Sequence, residues 1–239
     1  MTPIYKRIVI KISGESLAPA DDGLILDETK LSNLATVVKN VVSQGVEVCI
    51  VVGAGNIWRG RLAEKIGIES TTADYMGMLG TIINALAIQS ALEQKGLDSR
   101  VMSSIAVNQV CEPYIRRRAV HHLESGRVVI FAGGTGNPYF TTDSTATLRA
   151  LEVEADAILM AKNGVDGVYD SDPRKNPNAK LFPELTFHSV IEQKLGVMDL
   201  TAVAMCEGKD IVIRVFNTDD IENYGKVLSG EKIGTIIHK

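Results

Sequence analysis

The stretch GGTGNPYFTTDS, residues 133–144, joins three glycines and a proline to hydroxyl side chains and an aspartate. Glycines let backbone N–H groups approach phosphate oxygens closely, and a following helix N-terminus adds positive dipole. The same residue types also build plain turns, and Thr142 or Asp143 could simply cap the helix that TATLRALEVEA predicts. By itself, the stretch leaves a ligand-binding loop and a turn as alternatives.

Two further glycine loops follow apolar runs. Gly14 ends KRIVIKIS, and the segment 53–56 (GAGN) ends VEVCIVV. Lys11 stands beside the first loop, and Arg59 comes shortly after the second. Loops at the carboxyl ends of parallel strands share one edge of a sheet, where ligands bind. Three such loops with nearby cations indicate a polyphosphate site.

The common phosphate-binding motifs are absent from the chain. It has no GxxxxGK[ST], no HRD or DFG, and no GxGxxG after its first strand. These absences argue against a P-loop NTPase, a protein kinase and a dinucleotide-binding fold. Another phosphate-handling fold must supply the chemistry.

The elements that must position these loops alternate along the chain. KRIVIKI, VEVCIVV, RVVIFA, DAILMA, IVIRVF and GTII are typical of strands, and helical patterns at about 31–45, 75–95 and 145–155 separate several of them. This order predicts an α/β fold, a three-layer αβα sandwich around a mainly parallel sheet. No composition break divides the 239 residues, so we expect one domain, 1–239. The irregular segment 163–178 is more typical of a functional loop than of a linker.

Bulk composition narrows the function classes. The net charge is -4 with basic residues spread along the chain, so we expect no nucleic-acid partner and no membrane binding. The three cysteines lack metal or disulfide spacing, and Cys49 in its apolar run is typical of a core thiol. The N-terminus has no signal-peptide pattern, and no apolar stretch looks long enough to span a bilayer. We therefore expect a cytoplasmic protein.

Several motifs together resemble the bacterial uridylate (UMP) kinase family of the amino-acid kinase superfamily. They are KISGES (11–16), VGAGNIWRG (52–60), DYMGMLGT (74–81), GTGNPYFTTDS (134–144), NGVDGVYDSDP (163–173), VMDLTA (197–202) and GEKIGT (230–235). Their order runs almost from end to end. Ala54 departs from relatives that have a third glycine, and a methyl there predicts a slightly tighter loop. The segment 17–23 (LAPADDG) matches a region of variable length that the family associates with GTP regulation.

The resemblance implies transfer of the γ-phosphoryl group of ATP to UMP, with Lys11, Asp143 and Lys162 catalytic. Lys11 and Lys162 would neutralise charge on the transferring group, and Asp143 would hold both ammonium groups. Without the resemblance, Lys162 fits a solvated lysine at a strand end, and a cap role for Asp143 remains compatible with catalysis. The residues that the resemblance assigns to ATP are Lys11, Ile12, Ser13, Gly14, Gly55, Arg59, Asn163, Tyr169 and Asp172.

The resemblance also assigns a UMP site, with Asp74 on the ribose hydroxyls. The full set is Ala54, Asp74, Thr135, Gly136, Asn137, Pro138, Tyr139, Phe140, Thr141 and Thr142. Three of these assignments have structural alternatives: Asp74 could be a cap preceding the long helix, and Tyr139 and Phe140 could belong to the core. Arg59 could be a surface arginine, and Asp199 in VMDLTA fits helix capping as well as a site role.

Partners follow from the same resemblance. Mg²⁺ would arrive with ATP, GTP would activate, UTP would inhibit, and the assembly would be a homohexamer. The stretch 76–92 fits a dimer surface or a buried core helix. The basic run 116–118 fits a solvated helix face or an effector site. The competing functions are another superfamily kinase acting on an amino acid or carbamate, and a nucleotide-binding regulator without turnover.

Overall fold

The computed structural model describes residues 3–19, 23–162 and 164–239. The strands are β1 (Arg7–Ile12), β2 (Glu47–Val52), β3 (Ser99–Ser103), β4 (Glu112–Pro113), β5 (Val128–Ala132), β6 (Ala157–Lys162), β7 (Val168–Tyr169), β8 (Leu181–Phe182), β9 (Glu184–Thr186), β10 (Val212–Asn217) and β11 (Thr235–His238). The helices are α1 (Glu28–Val42), α2 (Arg61–Lys65), α3 (Ser70–Gln94), α4 (Arg116–Glu124), α5 (Thr142–Glu152), α6 (Phe187–Glu192), α7 (Leu200–Cys206) and α8 (Asn223–Leu228). A short 3-10 helix, Gly14–Leu17, follows β1.

One nine-stranded sheet forms the centre, in the order β4-β3-β5-β2-β1-β6-β10-β11-β9. All neighbouring pairs are parallel except β10 with β11, which is antiparallel. Strands β7 and β8 form a separate antiparallel pair. The predicted, mainly parallel sheet is confirmed.

Two apolar clusters cover the two faces of this sheet. In β1, Ile8 and Ile10 belong to the cluster shared with α1, α3 and α8, and Val9 belongs to the opposite one, shared with α4, α5, α6 and α7. Successive side chains of a strand point to opposite faces, so a strand buried on both sides has no polar alternation. The three-layer prediction is confirmed, and Cys49 is a buried thiol of the second cluster.

Helix α3 begins earlier than its apolar pattern predicts. It starts at Ser70 with Glu69 in the N-cap position, so Asp74 lies inside the helix. The interpretation of Asp74 as a cap preceding the helix is therefore wrong. The polar residues of the first turn hid the start, because periodicity detects a helix only where an apolar face is present.

The apolar length of α3 needs a second correction. Contrary to expectation, this helix is long and apolar enough by composition to cross a bilayer. Half of its most apolar window is buried in the protein, where Ile82, Ala85 and Ile88 pack in the first cluster. Tyr75, Leu79 and Ile83 are exposed at helical spacing, so the helix has both a core face and an apolar outer face.

Candidate active site

The three glycine loops meet at one edge of the sheet. Strands β5, β2, β1 and β6 lie side by side and parallel, so their carboxyl ends face the same way. A Cβ on Gly14 would lie 2.6 Å from the carbonyl oxygen of Gly53 and 2.4 Å from Asn56 Oδ1. Only a glycine allows the first two loops to approach this closely. The predicted gathering of the loops is confirmed.

Lys11, Asp143 and Lys162 form a charged cluster at this edge. Lys11 Nζ lies 2.8 Å from Asp143 Oδ1, and both side chains are about four-fifths buried. Asp143 sits in the first turn of α5, which Thr141 caps by accepting hydrogen bonds from the backbone N–H groups of Asp143 and Ser144. The cap is therefore neither Thr142 nor Asp143, and Asp143 is free to pair with Lys11.

The second lysine of the cluster lies where its charge is costly. Lys162 ends β6, next to β1, and its Nζ donates to the carbonyl oxygen of Val197 at 3.0 Å. Burial lowers the pKa of Lys162, Lys11 and Arg174 lower it further, and Asp143 opposes them. Burial and neighbouring cations both disfavour the charged ammonium. A bound anion would restore the balance, so the cluster suits a negatively charged ligand.

A cavity of about 830 Å³ opens on one side of this cluster. Its lining includes Lys11, Ser13, Glu15, Lys162, Tyr169, Asp172 and Arg174. Of the predicted ATP-binding residues, Ile12 is buried beside it and Gly14 packs against the second loop. Asn163 lies outside the described residues. The cavity is large enough for a nucleoside triphosphate.

A smaller cavity of about 280 Å³ lies beside α3 and the third loop. Its lining includes Ala54, Gly55, Trp58, Asp74, Gly134, Phe140, Thr141 and Thr142. Gly55, predicted for ATP, thus lines this second cavity. Thr142 lines this cavity and immediately precedes Asp143, so it links the cavity to the charged cluster. Its side chain also packs against the second loop, because a Cβ on Gly53 would lie 3.1 Å from Thr142 Oγ1.

The remaining predicted UMP residues form the outer part of the third loop. Thr135, Gly136, Asn137, Pro138 and Tyr139 follow Gly134 without lining the cavity. The Thr135 hydroxyl bonds within the loop, to the backbone of Asn137. Tyr139 and Phe140 are exposed, so the core alternative for these two aromatic residues is wrong.

Backbone shape explains two glycines of this loop. Gly133 has φ +73°, and a Cβ there would lie 2.8 Å from Ser103 Oγ. Gly136 has φ +84° and packs against Ser104. Residues with side chains rarely adopt these positive φ values, so the glycines are needed for the turn itself.

Arg59 reaches back toward the first loop. Its Nη2 lies 2.8 Å from Glu15 Oε1, and its Nε donates to the carbonyl oxygen of Gly55 at 3.1 Å. Both side chains of the ion pair are substantially exposed. The methyl group of Ala54, expected to tighten the second loop, is accommodated because Gly80 faces it, and a Cβ on Gly80 would come within 2.9 Å.

Several site residues were missed from the sequence. Glu15, Arg174 and Trp58 line the cavities without having been predicted. Glu15 lies inside KISGES, so its position in the motif was the available signal. Asp199 does cap α7, and it also accepts from the hydroxyls of Thr141 and Ser144, which joins α7 to the third loop.

The donor set near the cavities bears on metal binding. Within residues 3–19, 23–162 and 164–239, no group of three His, Cys, Asp or Glu side chains could hold a metal ion. Asp143 offers one carboxylate against Lys11, which lines the larger cavity. One carboxylate suits Mg²⁺ whose other ligands are phosphate oxygens and water.

A sheet edge that gathers glycine loops around two lysines and an aspartate defines a kinase-type α/β protein. The amino acid kinase family matches residues 6–217, and the chain belongs to that family.

Three solved structures that are similar to this chain are UMP or uridylate kinases. A UMP kinase from Bacillus anthracis is 45% identical with a TM-score of 0.95, covering 98% of this chain and 96% of that one. A UMP kinase from Ureaplasma parvum is 43% identical with a TM-score of 0.93, covering 98% and 99%. A uridylate kinase from Archaeoglobus fulgidus is 30% identical with a TM-score of 0.76, covering 96% and 99%.

Proposed function

We propose that this protein transfers the γ-phosphoryl group of MgATP to UMP, giving ADP and UDP. The observation that carries the proposal is the Lys11–Asp143–Lys162 cluster between two cavities of different size. Lys11 and Lys162 line the larger cavity, and Thr142, beside Asp143, lines the smaller one. Two ligands bound there would meet at the cluster.

The chemistry requires positioning and charge neutralisation. The attacking phosphate oxygen of UMP is already ionised at neutral pH, so no general base is needed. Lys11 and Lys162 would neutralise charge on the transferring group. Asp143 orients Lys11 through the 2.8 Å ion pair and opposes deprotonation of Lys162.

The larger cavity would take ATP. Tyr169 offers an aromatic face to adenine, Asp172 an acceptor, and Ser13 a backbone group near the phosphates. Ile12, Gly14 and Asn163 complete the set of residues that we propose for ATP. Arg174 adds a cation at its wall.

The smaller cavity would take UMP. Asp74 would accept from the ribose hydroxyls, while Thr141, Thr142 and the backbone of 134–140 read uracil and hold the phosphate. Arg59, which the resemblance assigns to ATP, pairs with Glu15 of the first loop and would grip phosphate through its guanidinium fork.

Mg²⁺ would be bound mainly by the phosphates of ATP, and the Asp143 carboxylate of the cluster would be its protein ligand. The ion supplies further charge neutralisation when bound. The protein itself contributes Lys11, Lys162 and the carboxylate of Asp143, which pairs with Lys11.

The same proposal extends to cellular context. We propose a cytoplasmic enzyme of pyrimidine nucleotide synthesis, one domain over 1–239, regulated by GTP and UTP and assembled as a homohexamer. The exposed apolar stripe Tyr75, Leu79 and Ile83 supports contact with a second subunit through α3. Lys11, Asp143 and Lys162 together favour turnover over a purely regulatory role.

One assay tests the function against its alternatives. Purified protein with MgATP receives UMP, CMP, glutamate or carbamate, and ADP release is followed. We expect ADP release with UMP far above the others. Turnover of glutamate or carbamate would establish a different kinase of the family, and nucleotide binding without ADP release would establish a regulator.

A further inference from the structure

A buried arginine lies behind the third glycine loop. Arg149 on α5 is only 4% exposed. Its guanidinium stacks on the ring of Tyr114, with Cζ 3.9 Å from the ring centroid, and its Nη1 pairs with the carboxylate of Glu152. Glu152 also accepts from the Tyr114 hydroxyl at 2.6 Å. Burying a charge is costly unless it is paired. Glu152 and the Tyr114 ring provide that pairing and fix the orientation of the Arg149 guanidinium.

The second terminal nitrogen of this guanidinium, Nη2, is connected to the third loop through the hydroxyl of Ser104. Arg149 Nη2 donates to Ser104 Oγ at 2.9 Å, and Ser104 Oγ donates to the carbonyl oxygen of Gly134 at 2.8 Å. Gly134 lines the smaller cavity. Gly136 packs on Ser104 as well, since a Cβ on Gly136 would lie 3.2 Å from Ser104 Cβ.

Fixing one carbonyl fixes a whole peptide plane. The peptide bond is planar and trans, so the Thr135 N–H points away from the Gly134 oxygen. Within the described residues, the Thr135 N–H donates to no other group. It belongs to the same peptide unit as Gly134, which lines the smaller cavity, and is thus a donor that the Arg149–Ser104 pair orients and that the protein leaves free for a ligand next to that cavity.

We propose that Arg149, acting through Ser104, is a positioning residue for the monophosphate acceptor. It holds the Gly134–Thr135 peptide in the orientation that binds UMP. This inference rests on the proposed function, because it names UMP as the ligand of the smaller cavity. Arg149 and Asp143 lie on the same helix, α5. The Arg149–Ser104 hydrogen bond therefore also connects the third loop to the helix that carries Asp143.

The test compares Ser104→Ala, Arg149→Lys and the double variant with wild type. We expect each single variant to raise KM for UMP about tenfold, with KM for ATP within about twofold, because one buried hydrogen bond is lost. The effects of substitutions within one hydrogen-bonded relay do not add. The double variant should therefore have a KM for UMP no higher than that of the more impaired single variant. Arg214→Lys is the matched control, since Arg214, on β10, is equally buried but its guanidinium donates to the carbonyl oxygen of Glu231 and not to the third loop. It should leave KM for UMP unchanged.

A second measurement needs no turnover. Amide hydrogen exchange at residues 133–137 of the nucleotide-free protein should be faster in Ser104→Ala than in wild type. Unchanged exchange there would overturn the inference whatever the substrate proves to be. Equal rises in both KM values, or a double variant whose effects multiply, would also overturn it and leave Arg149 a stabilising residue only. Failure of wild type to use UMP would instead refute the proposed function.

Discussion

Asp74 Oδ2 accepts a hydrogen bond from the backbone N–H of Tyr139 at 2.7 Å, joining α3 to the third glycine loop. Tyr139 has φ +71°, a left-handed conformation that costs a residue with a side chain about 1–2 kcal/mol. The hydrogen bond helps to hold that conformation. It occupies Oδ2 and leaves Oδ1 without this bond, so Oδ1 is the oxygen that we propose for the ribose of UMP.

Asp74→Asn should therefore change sugar recognition more than it changes the fold. The amide oxygen can still accept from Tyr139, but the amide nitrogen then faces the ribose and cannot accept a hydroxyl. We expect wild type to prefer UMP to dUMP by roughly tenfold to a hundredfold in kcat/KM, because a missing hydroxyl leaves the carboxylate acceptor unpaired once the ligand covers it. In Asp74→Asn, UMP use should fall and this ratio should narrow.

The measurement is kcat/KM for both substrates at saturating MgATP, with thermal unfolding as the control. Asp74 lies within α3, so its replacement removes no helix cap. A preference for UMP that survives in Asp74→Asn would refute the ribose role.

Lys11→Ala should lower kcat far more than it raises KM for ATP. Lys11 faces Asp143 at the junction of the cavities, where it would act on charge that develops in the transition state. A contact of this kind contributes about 3–4 kcal/mol, or roughly a hundredfold to a thousandfold in kcat. Steady-state kinetics with varied ATP measure the split. Lys39→Ala, an exposed lysine on α1, is the control and should retain wild-type values. A defect confined to KM would make Lys11 a binding residue only.

Lys162 should set an alkaline limit to activity. Burial, Lys11 and Arg174 lower its pKa in the free protein, so it loses its proton at a lower pH than an ordinary lysine. Bound triphosphate favours the ammonium and raises that pKa again. We therefore expect kcat/KM for ATP, which reports the free enzyme, to decline at lower pH than kcat, which reports the complex.

Lys162→Arg checks this assignment, because a guanidinium stays charged throughout the range. The alkaline limb of kcat/KM should disappear in that variant even where its activity is lower. Persistence of the same limb would assign it to another group.

Glu15 should compete with phosphate for Arg59. The two side chains pair at 2.8 Å in the nucleotide-free protein, and an incoming phosphate must share or replace that contact. The pair is exposed, so its energy is small, about 0.2–1 kcal/mol. Glu15→Gln should lower KM for the nucleotide that Arg59 contacts by up to about fivefold at low salt. Glu28→Gln on α1 is a charge-matched control. Higher KM values in Glu15→Gln would mean that Glu15 itself binds substrate.

UTP should inhibit by occupying the acceptor site. It carries the same uracil and ribose as UMP, so Asp74 and the third loop should accept it, and its additional phosphates would extend toward Lys11 and Lys162. Raising UMP should therefore relieve inhibition by UTP in initial-rate assays. Binding can be followed independently by the fluorescence of Trp58, the single tryptophan, which lines the smaller cavity. A crystal structure with UTP bound away from Asp74 would refute this mechanism.

Local signals in the sequence determined six strands (β1, β2, β5, β6, β10 and β11) and the glycine loops, but they missed β3 and the short strands β4, β7, β8 and β9. Buried parallel strands need continuous apolar runs, and turns with positive φ need glycine, so both features appear in the sequence itself. Lys11 and Lys162 stand at the ends of such runs, but the resemblance to a known family, and not the local pattern, assigned Lys162 its role. The start of α3 escaped detection because its first turn has no apolar stripe.

Only the tertiary structure decided which distant groups meet. The order β5-β2-β1-β6 brings Lys11 and Lys162 onto neighbouring strands, and the packing of α5 on the sheet places Asp143 against Lys11. The Glu15–Arg59 pair and the Arg149–Ser104–Gly134 relay likewise join segments far apart in the chain. Partner choice in such contacts depends on strand order and helix packing, and no local pattern in the sequence encodes either one directly.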